Sequence, residues 1–213
     1  MYPWVTHTWN PVKGKCPHDC VYCYMKRPGQ VQAALHLDEK CLKDCLGTGR
    51  TIFVGSSTDM WANESRDGWI DKVLKYCAQW PENTYLFQTK NPARFEDFAK
   101  SMPPLVMLGI TLESNRSFSE SKAPLPRDRY YSFKENPYRK MVSIEPVMNF
   151  DLDILTEWLK ALQPEFVSIG ADSKKHGLTE PPPEKLRSLI NNLQTFTEVK
   201  LKDNLNRIIG AAK

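Results

Sequence analysis

Six short runs rich in β-branched, aromatic and aliphatic residues alternate with stretches of helical periodicity along the 213-residue chain. That alternation restricts the fold to βα units laid around a parallel sheet. The runs are Thr51–Gly55, Thr84–Gln88, Val106–Thr111, Met141–Ile144, Phe166–Ile169 and Glu198–Leu201. Several are apolar almost without interruption, the pattern of strands covered on both faces. Segments Leu35–Leu46, Trp69–Gln79, Ala93–Lys100, Leu152–Leu162 and Glu184–Leu193 carry apolar residues three and four apart and are expected as helices. Asp151 is expected to cap the fourth, and Pro181–Pro183 to open the fifth, where a first turn tolerates proline. Residues 115–137 hold three prolines and no clear periodicity, which predicts a long irregular loop. Six units fall short of an eight-stranded closed barrel. The expected fold is therefore α/β, an open, partial βα barrel of about six parallel strands in one domain over residues 1–213. Reactive groups in such folds gather at the carboxyl ends of the strands.

Composition adds little beyond exclusions. With 41% apolar and 25% charged residues, the chain matches ordinary soluble proteins. It has no apolar run of membrane-spanning length, and its first residues lack a secretory signal, so a cytoplasmic protein is expected. A net charge of +4 permits an anionic partner without demanding one.

Six cysteines in a reducing compartment argue against a disulfide framework. Three of them crowd into Cys16-Pro-His-Asp-Cys20-Val-Tyr-Cys23, a C-x3-C-x2-C spacing. Thiolates are the preferred ligands of iron–sulfur centres, and three of them leave one iron of a four-iron cluster without a protein ligand. The competing reading adds His18 to the three cysteines as a structural zinc site. Cys41 and Cys45, four residues apart on an expected helix, are read as small buried hydrophobes.

With Tyr22 just before the third cysteine, the motif resembles the signature of the radical S-adenosylmethionine superfamily. The order TWNP, the cysteines, SSTDMW, LFQTKNPARF, LGITLES, an arginine-bearing loop and VSIEP resembles a phage-associated branch related to spore photoproduct lyase. The resemblance runs from about residue 8 to residue 205. It implies a [4Fe-4S] cluster on Cys16, Cys20 and Cys23 and S-adenosylmethionine on the open iron. It also implies reductive cleavage of that cofactor to a 5′-deoxyadenosyl radical, with a flavodoxin- or ferredoxin-like reductant as partner. Tyr22 and Glu145 are expected on the cofactor side. Ser56, Ser57, Thr58 and Asp59 offer acceptors for the cofactor's ammonium. By the same resemblance Thr111 and Glu113 meet the ribose, and Arg127 pairs with the cofactor carboxylate or stands as a solvated loop charge. Two departures limit the likeness. The spacing between the first two cysteines is more compact than that branch often shows, and the lyase's substrate-handling residues lack an evident counterpart.

Lys13, Lys15, Lys26, Arg27, Arg127, Arg129, Arg139 and Lys140 are interleaved with Trp4, Trp9, Tyr24, Trp61, Tyr130 and Tyr131. Charges for phosphate and planes for bases point to a nucleic-acid or nucleotide substrate. A protein or small metabolite is the alternative substrate. A non-catalytic, metal- or cluster-bearing nucleic-acid-binding module is the alternative class. Lys202, ending the last strand, is read as pointing into the mouth or snorkelling to solvent.

Overall fold

The computed structural model describes residues 2–27 and 29–210. A single sheet of seven strands dominates it, in the order β1 (His7–Trp9), β4 (Thr51–Val54), β5 (Thr84–Thr89), β6 (Val106–Thr111), β7 (Arg139–Ile144), β8 (Phe166–Ile169) and β9 (Glu198–Leu201). Every pairing is parallel, and neighbours in space are neighbours in the chain along the sheet. Strands β1 and β9 do not pair with each other, so the barrel is open. Helices α1 (Asp67–Ala78), α2 (Arg94–Asp97), α3 (Pro126–Lys134), α4 (Leu152–Leu162), α5 (Pro183–Leu193) and the short α6 (Asn206–Ile209) complete the α/β fold. Among the described residues no helix is long and apolar enough to cross a membrane.

The strands divide their residues between two environments. Outward-facing Ile52, Val54, Tyr85, Phe87, Leu108, Ile110, Val142, Ile144, Val167 and Ile169 join Leu74, Leu155, Leu159, Leu189 and Leu193 of the helices in the main core. The inner face bears a second, smaller cluster of Leu86, Met107, Met141 and Phe166, covered by Tyr2 and Val5. Tyr2 stacks on Trp4 at 5.2 Å and on Phe53 at 6.0 Å, and Trp4 meets Phe166 edge-on at 5.0 Å. The N-terminal segment thus plugs the amino-terminal end of the lumen with aromatic rings, which gain stability both from burial and from their mutual geometry.

Several sequence expectations need correction. Strand β1 adds a seventh to the six predicted; at three residues it is too short for a period-two signal. Leu35–Leu46 is not a helix. Strand β3 (His36–Leu37) forms an antiparallel pair with β2 (Val12–Lys13), and a 3-10 turn follows at Glu39–Lys43. Asp38 explains the change: its carboxylate accepts from Lys40 N at 3.1 Å and pairs with Lys13 at 2.7 Å, fixing the segment beside the cysteine loop. The expected helix at Ala93–Lys100 breaks into α2 and a 3-10 turn at Ala99–Ser101. The expected loop at 115–137 contains α3, which carries Pro126 in its first turn. Asp151 stands at the N-cap of α4 but makes no capping bond. Its carboxylate is taken by Arg116 and Asn115. Cys41 lies partly buried in the 3-10 turn and Cys45 is exposed, so only Cys77 of the outlying three is a fully buried hydrophobe.

Candidate active site

Above the aromatic plug the inward positions turn polar: Gln88 on β5, Thr111 on β6, Ser143 on β7, Ser168 on β8 and Lys200 on β9. Together with the loops at the carboxyl ends they surround a cavity of about 920 Å³. Cys16, Cys20 and Cys23 line it, as do Tyr22, Ser56, Ser57, Thr58, Asp59, Thr111 and Glu145. Glu113 and Arg127 do not.

The cysteine loop is held from three sides. Gly14, with φ +103°, packs so closely that a Cβ there would meet Ala34 O at 2.3 Å; only glycine fits both the conformation and the space. Thr58 Oγ1 donates to Gly14 O at 3.0 Å. Asn10 Oδ1 accepts from Ser56 Oγ at 3.1 Å and Ser57 N at 3.0 Å, tying the loop after β4 to the chain after β1. Buried His18 places Nε2 2.8 Å from Asp59 Oδ2.

Asp59 is therefore occupied. Besides His18, its Oδ2 accepts from Thr89 Oγ1 at 2.8 Å and Lys90 N at 2.9 Å, while Oδ1 accepts from Trp61 N at 3.0 Å. Burial would raise its carboxyl, but the bond and charge of His18 and the neighbouring donors hold it below the ordinary range. Burial pushes the Cys16 thiol up to about 12, with the Asp59 charge adding to the effect.

Glu113 is the second hub, drawn into buried hydrogen bonds and ion pairs and absent from the cavity lining. It is 3% exposed. Its Oε1 accepts from Tyr22 OH and Lys90 Nζ, both at 2.5 Å, and its Oε2 from Arg129 Nη1 at 2.7 Å. Burial opposes ionisation, yet the Lys90 and Arg129 charges overcome it and leave the carboxyl at about 2. Burial and the adjacent carboxylate raise the Tyr22 phenol. Two cations surround one anion, so the group carries a surplus positive charge, and its Lys90 lines the cavity.

Of the two readings of Arg127, its position matches the solvated charge. It is exposed on α3, with its guanidinium 5.7 Å from the Tyr131 ring. Two residues along the helix, Arg129 points inward to Glu113. Glu145 lines the cavity but pairs with Lys202, which crosses from β9 above Gly170. A Cβ on Gly170 would stand 2.9 Å from the Glu145 carboxylate and 3.0 Å from Lys202 Cδ, so the bare backbone makes room for the pair. Lys202 thus turns into the mouth instead of snorkelling away. In the sequence Arg129 counts only among the basic residues offered for phosphate, and Lys90, Gln88 and Ser143 have no individual role, although strict alternation along β5 and β7 marks Gln88 and Ser143 as polar positions on the inner face.

The open seven-stranded parallel sheet is similar in fold to solved structures of spore photoproduct lyase and SuiB. A cysteine-to-serine variant of spore photoproduct lyase superposes with a TM-score of 0.65 at 10% identity, covering 94% of this chain and 77% of that one. A lyase variant with bound AdoMet and dinucleoside spore photoproduct gives 0.61 at 11% identity, covering 92% and 63%. SuiB of Streptococcus suis bound to S-adenosylmethionine gives 0.60 at 12%, covering 93% of this chain and 50% of that one. These likenesses are ones of fold. The family model described as "Protein of unknown function (DUF5131)" matches residues 2–173, and the chain belongs to that family. No curated protein matches it.

Proposed function

We propose that the protein is a radical S-adenosylmethionine enzyme, with Cys16, Cys20 and Cys23 holding a [4Fe-4S] cluster at the edge of the cavity. The observation that carries this reading is that all three thiols and the polar strand ends line one chamber. The donor set fits the group. All three thiols are free, and His18 Nε2, the fourth ligand of the zinc alternative, is committed to Asp59. Thiolates are the preferred ligands of iron–sulfur centres, and three of them leave one iron of a four-iron cluster open for the cofactor.

The bound cluster and S-adenosylmethionine would supply reductive cleavage to a 5′-deoxyadenosyl radical; the chain's own residues supply binding and orientation. Ser56, Ser57 and Thr58 present oxygen atoms to the cofactor's ammonium, and Asp59 positions the cysteine loop instead of binding the cofactor directly. The surplus charge at Lys90 and Arg129 takes the role expected of Arg127, opposite the cofactor carboxylate. Thr111, and Gln88 whose Nε2 donates to it at 3.0 Å, face the ribose. Glu145 and Lys202 form the wall across the chamber. With Tyr2, Trp4 and Phe53 among the lining residues, that chamber suits a planar heteroaromatic substrate such as a nucleobase or nucleotide. Iron and sulfide analysis after anaerobic reconstitution tests the cluster: four irons per chain are expected, and tightly bound zinc in their place contradicts it.

A further inference from the structure

Reduction of a cluster on this cysteine loop draws single electrons from outside the chain, and a docking face for their donor presupposes the enzymatic function proposed for the chamber. Residues 120–122 run along the outside of the loop. Val21 N donates to Glu120 O at 2.8 Å and Lys122 N to His18 O at 2.7 Å. Between them Ser121 Oγ lies 3.1 Å from Cys20 Sγ. The Lys122 side chain is 74% exposed, so here a single thickness of chain separates Cys20 from solvent.

That surface is basic. Lys26, Lys122 and Lys15 gather around Asp19 at 2.7, 3.4 and 3.7 Å, more cations than one carboxylate neutralises. Lys174 reaches the same rim from the loop after β8, donating to Tyr24 O at 2.7 Å and Lys26 O at 3.0 Å. Arg27 is exposed beside it. Among the described residues Lys15, Lys26 and Lys122 all pair with Asp19, and with Arg27 and Lys174 beside them the face carries a surplus of positive charge. Val21 and Tyr24, 47% and 58% exposed, place apolar surface among the charges.

We propose that this face docks a small acidic electron-carrier protein, which gives up one electron per encounter to a cluster lying just behind Cys20 and is itself oxidised by one electron. Opposed charge steers such encounters and orients them. Electron-transfer complexes need only a small contact area, so a patch of this size suffices.

The test measures binding, without S-adenosylmethionine, between the reconstituted protein and two acidic carriers, a flavodoxin and a plant-type ferredoxin. At least one is expected to bind at low ionic strength and to weaken as salt screens the charges. Lys15→Glu combined with Lys122→Glu, and Lys122→Glu alone as a milder variant, should lower that affinity, by roughly tenfold for the pair, with iron content unchanged. Absence of binding by both carriers, or equal affinity for parent and double variant, overturns the docking face. Binding of a short DNA duplex that the same variants abolish, with neither carrier bound, makes it a nucleic-acid surface and also overturns the proposal. Carrier binding by a protein that never yields 5′-deoxyadenosine leaves the docking face standing and fails the enzymatic reading instead.

Discussion

His18 Nε2 sits 2.8 Å from Asp59 Oδ2, across 41 residues of chain, and this contact joins the cysteine loop to the loop after β4. Asp59 also accepts from Thr89, Lys90 and Trp61, so it organises three chain segments around one buried carboxylate. Removing it leaves several buried donors unsatisfied. Loss of one partner from a buried pair costs about 3–5 kcal/mol. For a chain of this size the thermal midpoint of Asp59→Ala is expected to fall by roughly 10 °C. A midpoint unchanged by calorimetry would show that the hub is not structural.

Glu113 makes a pH-dependent contribution. Its carboxyl stands at about 2 in the folded protein against an ordinary 4.5. A carboxyl held lower in the folded state than in the unfolded one gives its full stabilisation above the unfolded value, and that stabilisation is lost as pH falls from about 4.5 toward about 2. Glu113→Gln should be less stable at neutral pH, because Lys90 and Arg129 lose their counter-charge. Its urea midpoint should then decline less steeply than the parent's between about pH 5 and about pH 3. Parallel declines would assign the acid sensitivity elsewhere.

Tyr2 tests the plug. Its ring is buried against Trp4 and Phe53, and its hydroxyl donates to Gln88 Oε1 at 2.8 Å, bridging the aromatic floor and the polar chamber. Tyr2→Ala should cost about 3 kcal/mol in chemical denaturation, as large aromatic truncations do in well-packed cores. A loss below about 1 kcal/mol would mean the N-terminal segment only rests on the lumen.

The cysteines should separate into two sets. Cys16→Ala, Cys20→Ala and Cys23→Ala are each expected to abolish the visible absorption of the reconstituted cluster, because each removes one iron ligand. Cys41→Ala and Cys45→Ala lie outside the chamber and should keep it. A spectrum lost equally in both sets would contradict the ligand assignment.

Much of this fold was legible because the outward row of each strand is apolar. Residues such as Tyr85, Phe87, Leu108 and Ile110 mark strands whatever stands between them. All six expected strands occur, and those at Val106–Thr111, Phe166–Ile169 and Glu198–Leu201 keep their expected limits. The inner row was harder to interpret. Gln88, Ser143 and Ser168 look like interruptions of an apolar run until the barrel turns them to one chamber. Local spacing also misled at Leu35–Leu46, where Asp38 bonded to Lys13, a tertiary contact, overrides helical periodicity. Between Arg127 and Arg129 nothing local discriminates. The phase of α3 decides which arginine faces Glu113, and that phase is set by Tyr130 and Phe133 entering the core.

The most direct test of the central claim is the fate of S-adenosylmethionine with the anaerobically reconstituted, chemically reduced protein. Parent protein should yield 5′-deoxyadenosine and methionine, and Cys20→Ala neither. Equal cleavage by Cys20→Ala, or none by a parent shown to carry a reduced cluster and bound cofactor, would contradict a radical mechanism built on this cysteine loop.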